Sequence, residues 1–211
     1  MGLGRFFRWF GLPGSLVLTG LLSLLALTLA CLCPSIPRWL CAAGMLCSSL
    51  GDIILMHYRP ITDRLPFRSF EAGAVAFMVA HGFYIAAFTT AAAHRGGLLT
   101  PAIWAGIALF AALLALLLIL HRRNKQAKAG MTLLCIAYLA VISTCCTAVF
   151  TFAWNRGPIG LIAAAGALLF LSSDAIIGFG QVGGIRIPNA SAIIWWLYPL
   201  GQLGLIAGLW V

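Results

Sequence analysis

Two aspartates could do chemistry: Asp52 in G-D-I-I-L-M and Asp174 in F-L-S-S-D-A, each the only acid within a long apolar run. An ionisable side chain at mid-bilayer costs about 2.5–3.5 kcal/mol on insertion scales, so an acid placed there calls for a functional reason. Two carboxyls in a low-dielectric pocket resist carrying two negative charges at once. One is then left as a protonated donor and the other as a carboxylate, which suits general acid and base work.

Other polar residues gather around them by helical arithmetic. Ser48, Ser49 and Asp52 fall at i, i+1 and i+4, which predicts a polar stripe on one face. Ser172 and Ser173 directly precede Asp174, while Phe77, His81, Tyr84 and Phe88 recur at helical spacing with Glu71 at the inner end of their run. Trp195, Tyr198 and Gln202 share a face by the same spacing. Four helices can thus bring polar atoms to one pocket, turned toward the bundle interior where partners can satisfy them. Each has a plainer reading. A lone His81 or Gln202 is more often a helix–helix hydrogen bond than a catalytic group. Tyr84, Tyr198, Trp195 and Trp196 serve equally as belt or core aromatics. Arg59, Arg64 and Arg68 are most simply topology determinants, and Asp63 and Glu71 lie near the surface where water can solvate them.

The elements that must position these residues are membrane helices. Hydrophobic residues make up 63% of the 211 and charged residues 8%, far from the soluble average of about half and about a quarter. The chain reads as one all-α domain over residues 1–211, a polytopic transmembrane helical bundle. About seven spans of roughly 20 residues, the length that crosses the hydrocarbon core, are expected near 13–33, 38–57, 70–93, 98–120, 130–152, 158–179 and 190–210. A cleaved signal peptide is not expected, because the uncharged stretch from Phe10 to Ile36 is too long for a signal core. With the N-terminus inside, the inner segments hold Arg5, Arg8, Arg59, Arg64, Arg68, Arg122, Arg123, Lys125, Lys128 and Arg186, and the outer loops only Arg38, Arg95 and Arg156. That asymmetry is the positive-inside pattern. Asp52 and Asp174 then both sit about five residues, or roughly 8 Å, from the inner ends of spans running the same way.

The net charge of +9 reads as topology and attraction to anionic headgroups. A nucleic-acid partner is not expected, since the basic residues are dispersed over several segments. The seven cysteines lie in or at the ends of apolar spans with no C-x-x-C pair, and no histidine stands at a zinc-type spacing, so they read as small packing residues and no metal is expected. Gly204 and Gly208 form a G-x-x-x-G, which favours close packing within the chain over the homodimer seam it would also allow. Compact loops fit a bacterial inner membrane.

The runs S-S-L-G-D-I-I-L-M at 48–56, G-A-V-A-F-M-V-A-H-G-F-Y at 73–84, G-A-L-L-F-L-S-S-D at 166–174 and W-L-Y-P-L-G-Q-L at 196–203 resemble, in order, the signatures of the YhhN family, which includes the lysoplasmalogenases. The family usually has eight spans, one more than are counted here. The resemblance implies hydrolysis of the vinyl-ether bond of a lysoplasmalogen to a fatty aldehyde and a glycerophosphoalcohol such as glycerophosphocholine or glycerophosphoethanolamine, with Asp52 and Asp174 as the paired acids and no cofactor. The implied partners are the lysophospholipid substrate and the surrounding membrane lipid. His81, Tyr84, Tyr198, Gln202, Ser48 and Ser173 are candidates for orienting the acids or the water, and the basic inner loop that carries Arg59 for holding the phosphate. Two rivals come from other classes. One is a small transporter coupling proton or cation movement to the buried acids, against which the chain shows no inverted repeat. The other is a non-catalytic lipid-binding protein in which the aspartates only tie helices together.

Overall fold

A computed structural model describes residues 14–56, 69–94, 96–98 and 100–210. Arg5, Arg8, Arg59, Asp63, Arg64, Arg68 and Arg95 lie outside the described residues. The seven helices described are α1 (Gly14–Leu32), α2 (Ile36–Leu55), α3 (Ser69–Ala93), α4 (Ala102–Arg123), α5 (Ala129–Arg156), α6 (Leu161–Gly183) and α7 (Ala190–Trp210). Each coincides with one expected span. Five apolar stretches among the described residues are long enough to cross a membrane. One of them, Ala129–Gly183, contains both α5 and α6, while the apolar part of α1, Leu16–Leu32, is shorter than the rest. The protein is a helical membrane bundle.

Local chemistry sets the helix ends. Ser35 caps α2 by accepting from the Arg38 amide at 3.4 Å, and Pro37 follows in the first turn, where a missing N–H costs nothing. Between α5 and α6 the chain turns through a short 3-10 segment, Gly157–Gly160; Gly157 has φ 72°, a left-handed conformation that suits glycine. This turn explains why α6 begins at Leu161 and not at 158 as expected. At the other end of α6, Gly184 adopts φ 64° as a left-handed cap. Helix α5 extends to Arg156, about a turn beyond its expected end at 152, and this carries Asn155 to a position where its amide donates to the Ala92 and Gly97 carbonyls at 3.2 and 2.7 Å. The Ala92 carbonyl at the end of α3 thus accepts from this side chain as well as from the Gly96 and Gly97 amides.

Helices α2, α3, α5, α6 and α7 pack in a closed ring, each touching the next and α7 returning to α2. Helix α1 lies over the α2–α7 seam and α4 over the α5–α6 seam. Inside the ring sit Met45, Phe77, Tyr84, Phe88, Val149, Phe152, Phe170 and Leu205. Outside it Leu21, Leu24, Trp104, Leu133, Trp154 and Trp196 are exposed, as lipid-facing residues should be. Basic residues gather at one end of the bundle, with Arg122 and Arg123 closing α4, Lys125 and Lys128 in the next link and Arg186 after α6. At the opposite end the Arg38 guanidinium donates to the carbonyls of Cys33, Leu209 and Trp210 and lies over the Trp210 ring at 5.0 Å. Arg38 thereby ties the final turn of α7 to the start of α2.

Glycine sets the closest approach in the ring. A Cβ on Gly166 of α6 would stand 2.8 Å from the Gly201 oxygen and Leu205 nitrogen of α7, and one on Gly204 would stand 2.7 Å from Gly166 Cα. Gly208 similarly faces Ala163. The G-x-x-x-G therefore serves the α6–α7 contact within the chain. Because backbone atoms cannot yield as a flexible side chain would, Gly166→Leu should force α6 and α7 apart and destabilise the fold by roughly 3 kcal/mol. Gly82→Ala, where a Cβ meets nothing within 4 Å, should be neutral; thermal unfolding in detergent compares the two.

Candidate functional site

The basic end of the bundle holds a cavity of about 350 Å³ walled by six helices. Asp52 enters it from the last turn of α2, Asp174 from α6, Tyr138 from α5 and Tyr198 from α7, while α3 supplies Phe77 and α4 supplies Leu113 and Leu117. Ser173, Cys135 and Trp195 also line it, and the remaining wall is aliphatic or phenyl. Among the described residues no basic side chain lines the cavity.

Each carboxyl is held by a phenol. Tyr198 Oη donates to Asp52 Oδ2 at 2.9 Å, and Tyr138 Oη donates to Asp174 Oδ2 at 2.5 Å. Ser173 has a single hydroxyl proton, directed chiefly to the Phe170 carbonyl at 2.7 Å and more weakly to Asp174 Oδ1 at 3.3 Å. Asp52 is 5% exposed, whereas Asp174 is only half-buried. Both carboxyls line the same cavity, so the acids that the sequence placed on separate helices share one site.

Four other candidates stand behind the cavity wall. One turn deeper along α2 and α7, Gln202 Nε2 donates to Ser48 Oγ at 3.1 Å and Gln202 Oε1 accepts from Tyr84 Oη at 2.7 Å. These repeat the Asp52–Tyr198 pairing one turn away, because α2 and α7 run antiparallel. All three residues are buried. His81 is buried as well. Its Nδ1 bonds the Phe77 carbonyl at 2.7 Å, and since a carbonyl only accepts, Nδ1 carries the proton and the neutral ring keeps its lone pair on Nε2. The imidazole packs edge-on against Phe170 and Tyr138, with centroids 4.9 and 5.6 Å away. His81, Tyr84, Gln202 and Ser48 therefore support the cavity and do not line it.

One expectation is corrected. Ser49 does not share the inward stripe with Ser48 and Asp52. One residue on a helix is a rotation of about 100°, and Ser49 Oγ turns to α1, donating to the Thr19 carbonyl at 3.1 Å and pairing with Ser23 Oγ at 2.7 Å. Ser172 is exposed and bonds back to the Leu168 carbonyl of its own helix. Sequence reasoning also passed over Tyr138. A signal was present, since it is the only tyrosine on α5 and a phenol in an apolar helix must find a partner.

The family model described as YhhN family matches residues 15–209, nearly the whole chain. No curated protein and no solved structure gives a match.

Replacing Gln202 by Leu would leave the Tyr84 hydroxyl and Ser48 Oγ without their shared partner inside the ring. We expect Gln202→Leu to lower stability by about 1–3 kcal/mol, read as a fall in the thermal unfolding midpoint in detergent.

Proposed function

Because this chain belongs to the YhhN family, we propose that it is a membrane-embedded ether hydrolase that cleaves the vinyl-ether bond of lysoplasmalogens. The observation that carries this reading is the pair of carboxyls on one apolar cavity, each bonded to a phenol. A vinyl ether is cleaved by protonating its distal alkene carbon, which produces an oxocarbenium ion. Water adds to that ion, and the hemiacetal collapses to fatty aldehyde and glycerophosphoalcohol. The path needs a proton donor and a nearby negative charge. Two carboxyls sharing one proton supply both, a division of labour analogous to that of glycosidases, which pass through a similar cation. Asp52 and Asp174 are the proposed catalytic residues.

The depth of the site is consistent with such a substrate. Asp52 lies one turn from the end of α2 at the basic end of the bundle. In a lysophospholipid the sn-1 linkage lies just beneath the headgroup, so the bond can meet the acids while its chain stays among the aliphatic walls. The phosphate would then remain at the mouth, beside the basic links at that end of the bundle. His81, Tyr84, Gln202, Ser48, Ser173 and Tyr198 would orient the acids, with no cofactor required. We place the basic end and the N-terminus on the cytoplasmic side of a bacterial inner membrane, following the charge asymmetry.

The test supplies purified protein in detergent with lysoplasmenyl lipid, its saturated alkyl-ether analogue and an ester lysophospholipid, and measures aldehyde and fatty-acid release. Aldehyde should come from the vinyl ether alone. Asp52→Asn and Asp174→Asn should each lower the rate by about 10²–10⁴-fold, the usual contribution of a positioned acid or base. Full activity in either folded variant would remove the paired-acid mechanism. No turnover by the unaltered protein would remove the hydrolase reading and direct attention to proton flux in liposomes.

A further inference from the structure

Resting on the paired-acid reading above, we infer that Tyr138 is a positioning residue that fixes the negative charge on Asp174, leaving Asp52 as the proton donor to the alkene carbon. The two phenol–carboxyl pairs look alike but differ in length. Tyr138 Oη to Asp174 Oδ2 is 2.5 Å, within the range for a hydroxyl bonded to a charged carboxylate, while Tyr198 Oη to Asp52 Oδ2 is 2.9 Å, an ordinary neutral separation. The second oxygen of Asp174 receives the weaker contact from Ser173. An ionised carboxyl can only accept, so the short Tyr138 bond favours that form, with the Ser173 contact a minor addition.

Asp52 has the opposite surroundings. It is 5% exposed against the half-buried Asp174, and among the described residues no cation lines the cavity to balance a charge on it. Tyr138 is itself held in place: its ring meets the edge of His81, which is locked by the Phe77 carbonyl. Besides one another, the titratable groups packed about the pair among the described residues are His81 of α3, Cys135, Tyr138 and Cys146 of α5, and Tyr198 of α7. Helix α4 contributes only leucines.

The assignment closes a catalytic cycle. Asp52 gives its proton to the distal alkene carbon as the C=C electron pair forms the new C–H bond. Asp174 accepts a proton from the water that adds to the oxocarbenium carbon. On collapse of the hemiacetal, Asp174 returns that proton to the departing glycerol oxygen, and the hemiacetal hydroxyl proton passes to Asp52. Vinyl ether plus water has become aldehyde plus alcohol, and both carboxyls regain their starting forms.

Infrared spectroscopy of the full chain in detergent tests this without relying on turnover, because a protonated carboxyl shows a C=O stretch that a carboxylate lacks. Near neutral pH that band should be present in the unaltered protein, lost in Asp52→Asn and kept in Asp174→Asn. In Tyr138→Phe, a second carboxyl band should grow in at higher pH than in the unaltered protein as acid is added, and the acid limb of the rate profile should move the same way while the alkaline limb stays. A band lost in Asp174→Asn but kept in Asp52→Asn, no band at all, or a Tyr138→Phe titration that matches the unaltered protein would overturn the assignment. These results stand apart from the aldehyde assay: a protein that hydrolyses the vinyl ether with the bands reversed refutes the assignment alone, whereas one with the expected bands and no turnover refutes the reaction.

Discussion

In hydrocarbon there is no water to accept what the protein leaves unpaired, and this constraint organises the whole ring of helices. Two carboxyls in such a place must find donors on other helices. Asp52 on α2 finds Tyr198 on α7, and Asp174 on α6 finds Tyr138 on α5. Those two bonds join α2 to α7 and α5 to α6 at the same end of the bundle. The Gln202 bridge to Ser48 and Tyr84 then secures α7 to α2 and α3 a turn further in.

These bonds require close helices, and small residues allow that closeness. Because Gly166, Gly201 and Gly204 let the α6 and α7 backbones touch, Tyr198 and Asp174 can face one cavity from adjoining helices. Gly44 and Gly51 on α2 do the same for α3, where the rings of Tyr84 and Phe77 occupy the space a Cβ would need. At Pro199, one residue after Tyr198, the helix lacks the amide that would bond the Trp195 carbonyl, which frees a backbone acceptor on a residue of the cavity wall. Packing and polarity are thus settled together, by residues that alternate along single helices.

The sequence made the span pattern and the two acids legible for a simple reason: a charge in an apolar run is rare, and a run of about 20 apolar residues has one common use. Helical arithmetic also placed Phe77, His81, Tyr84 and Phe88 on an inward face, and all four are buried. It failed at Ser49, because periodicity within one helix does not reveal which neighbour that helix meets. Tyr138 was missed on the same ground, since its importance comes from the antiparallel pairing of α5 and α6 and not from anything near it in the chain. The cavity walls of α4 were hidden for another reason. Leu113 and Leu117 are ordinary among leucines, and only the three-dimensional seam makes them a boundary.

The charge of the cavity bears on which reactions it suits. Ester hydrolysis passes through a tetrahedral oxyanion and is assisted by donors or cations aimed at developing negative charge. This cavity has two acids, and no basic side chain among its described lining residues. Its phenols already direct their protons to the carboxyls. An oxyanion formed there would face a carboxylate across a low-dielectric gap. A developing cation would face the same carboxylate favourably, with the Phe77 ring and Tyr198 packed close by in the same wall. The proposed protonation at carbon creates such a cation, so the apolar walls that make two acids costly also strengthen the one electrostatic interaction the reaction would use.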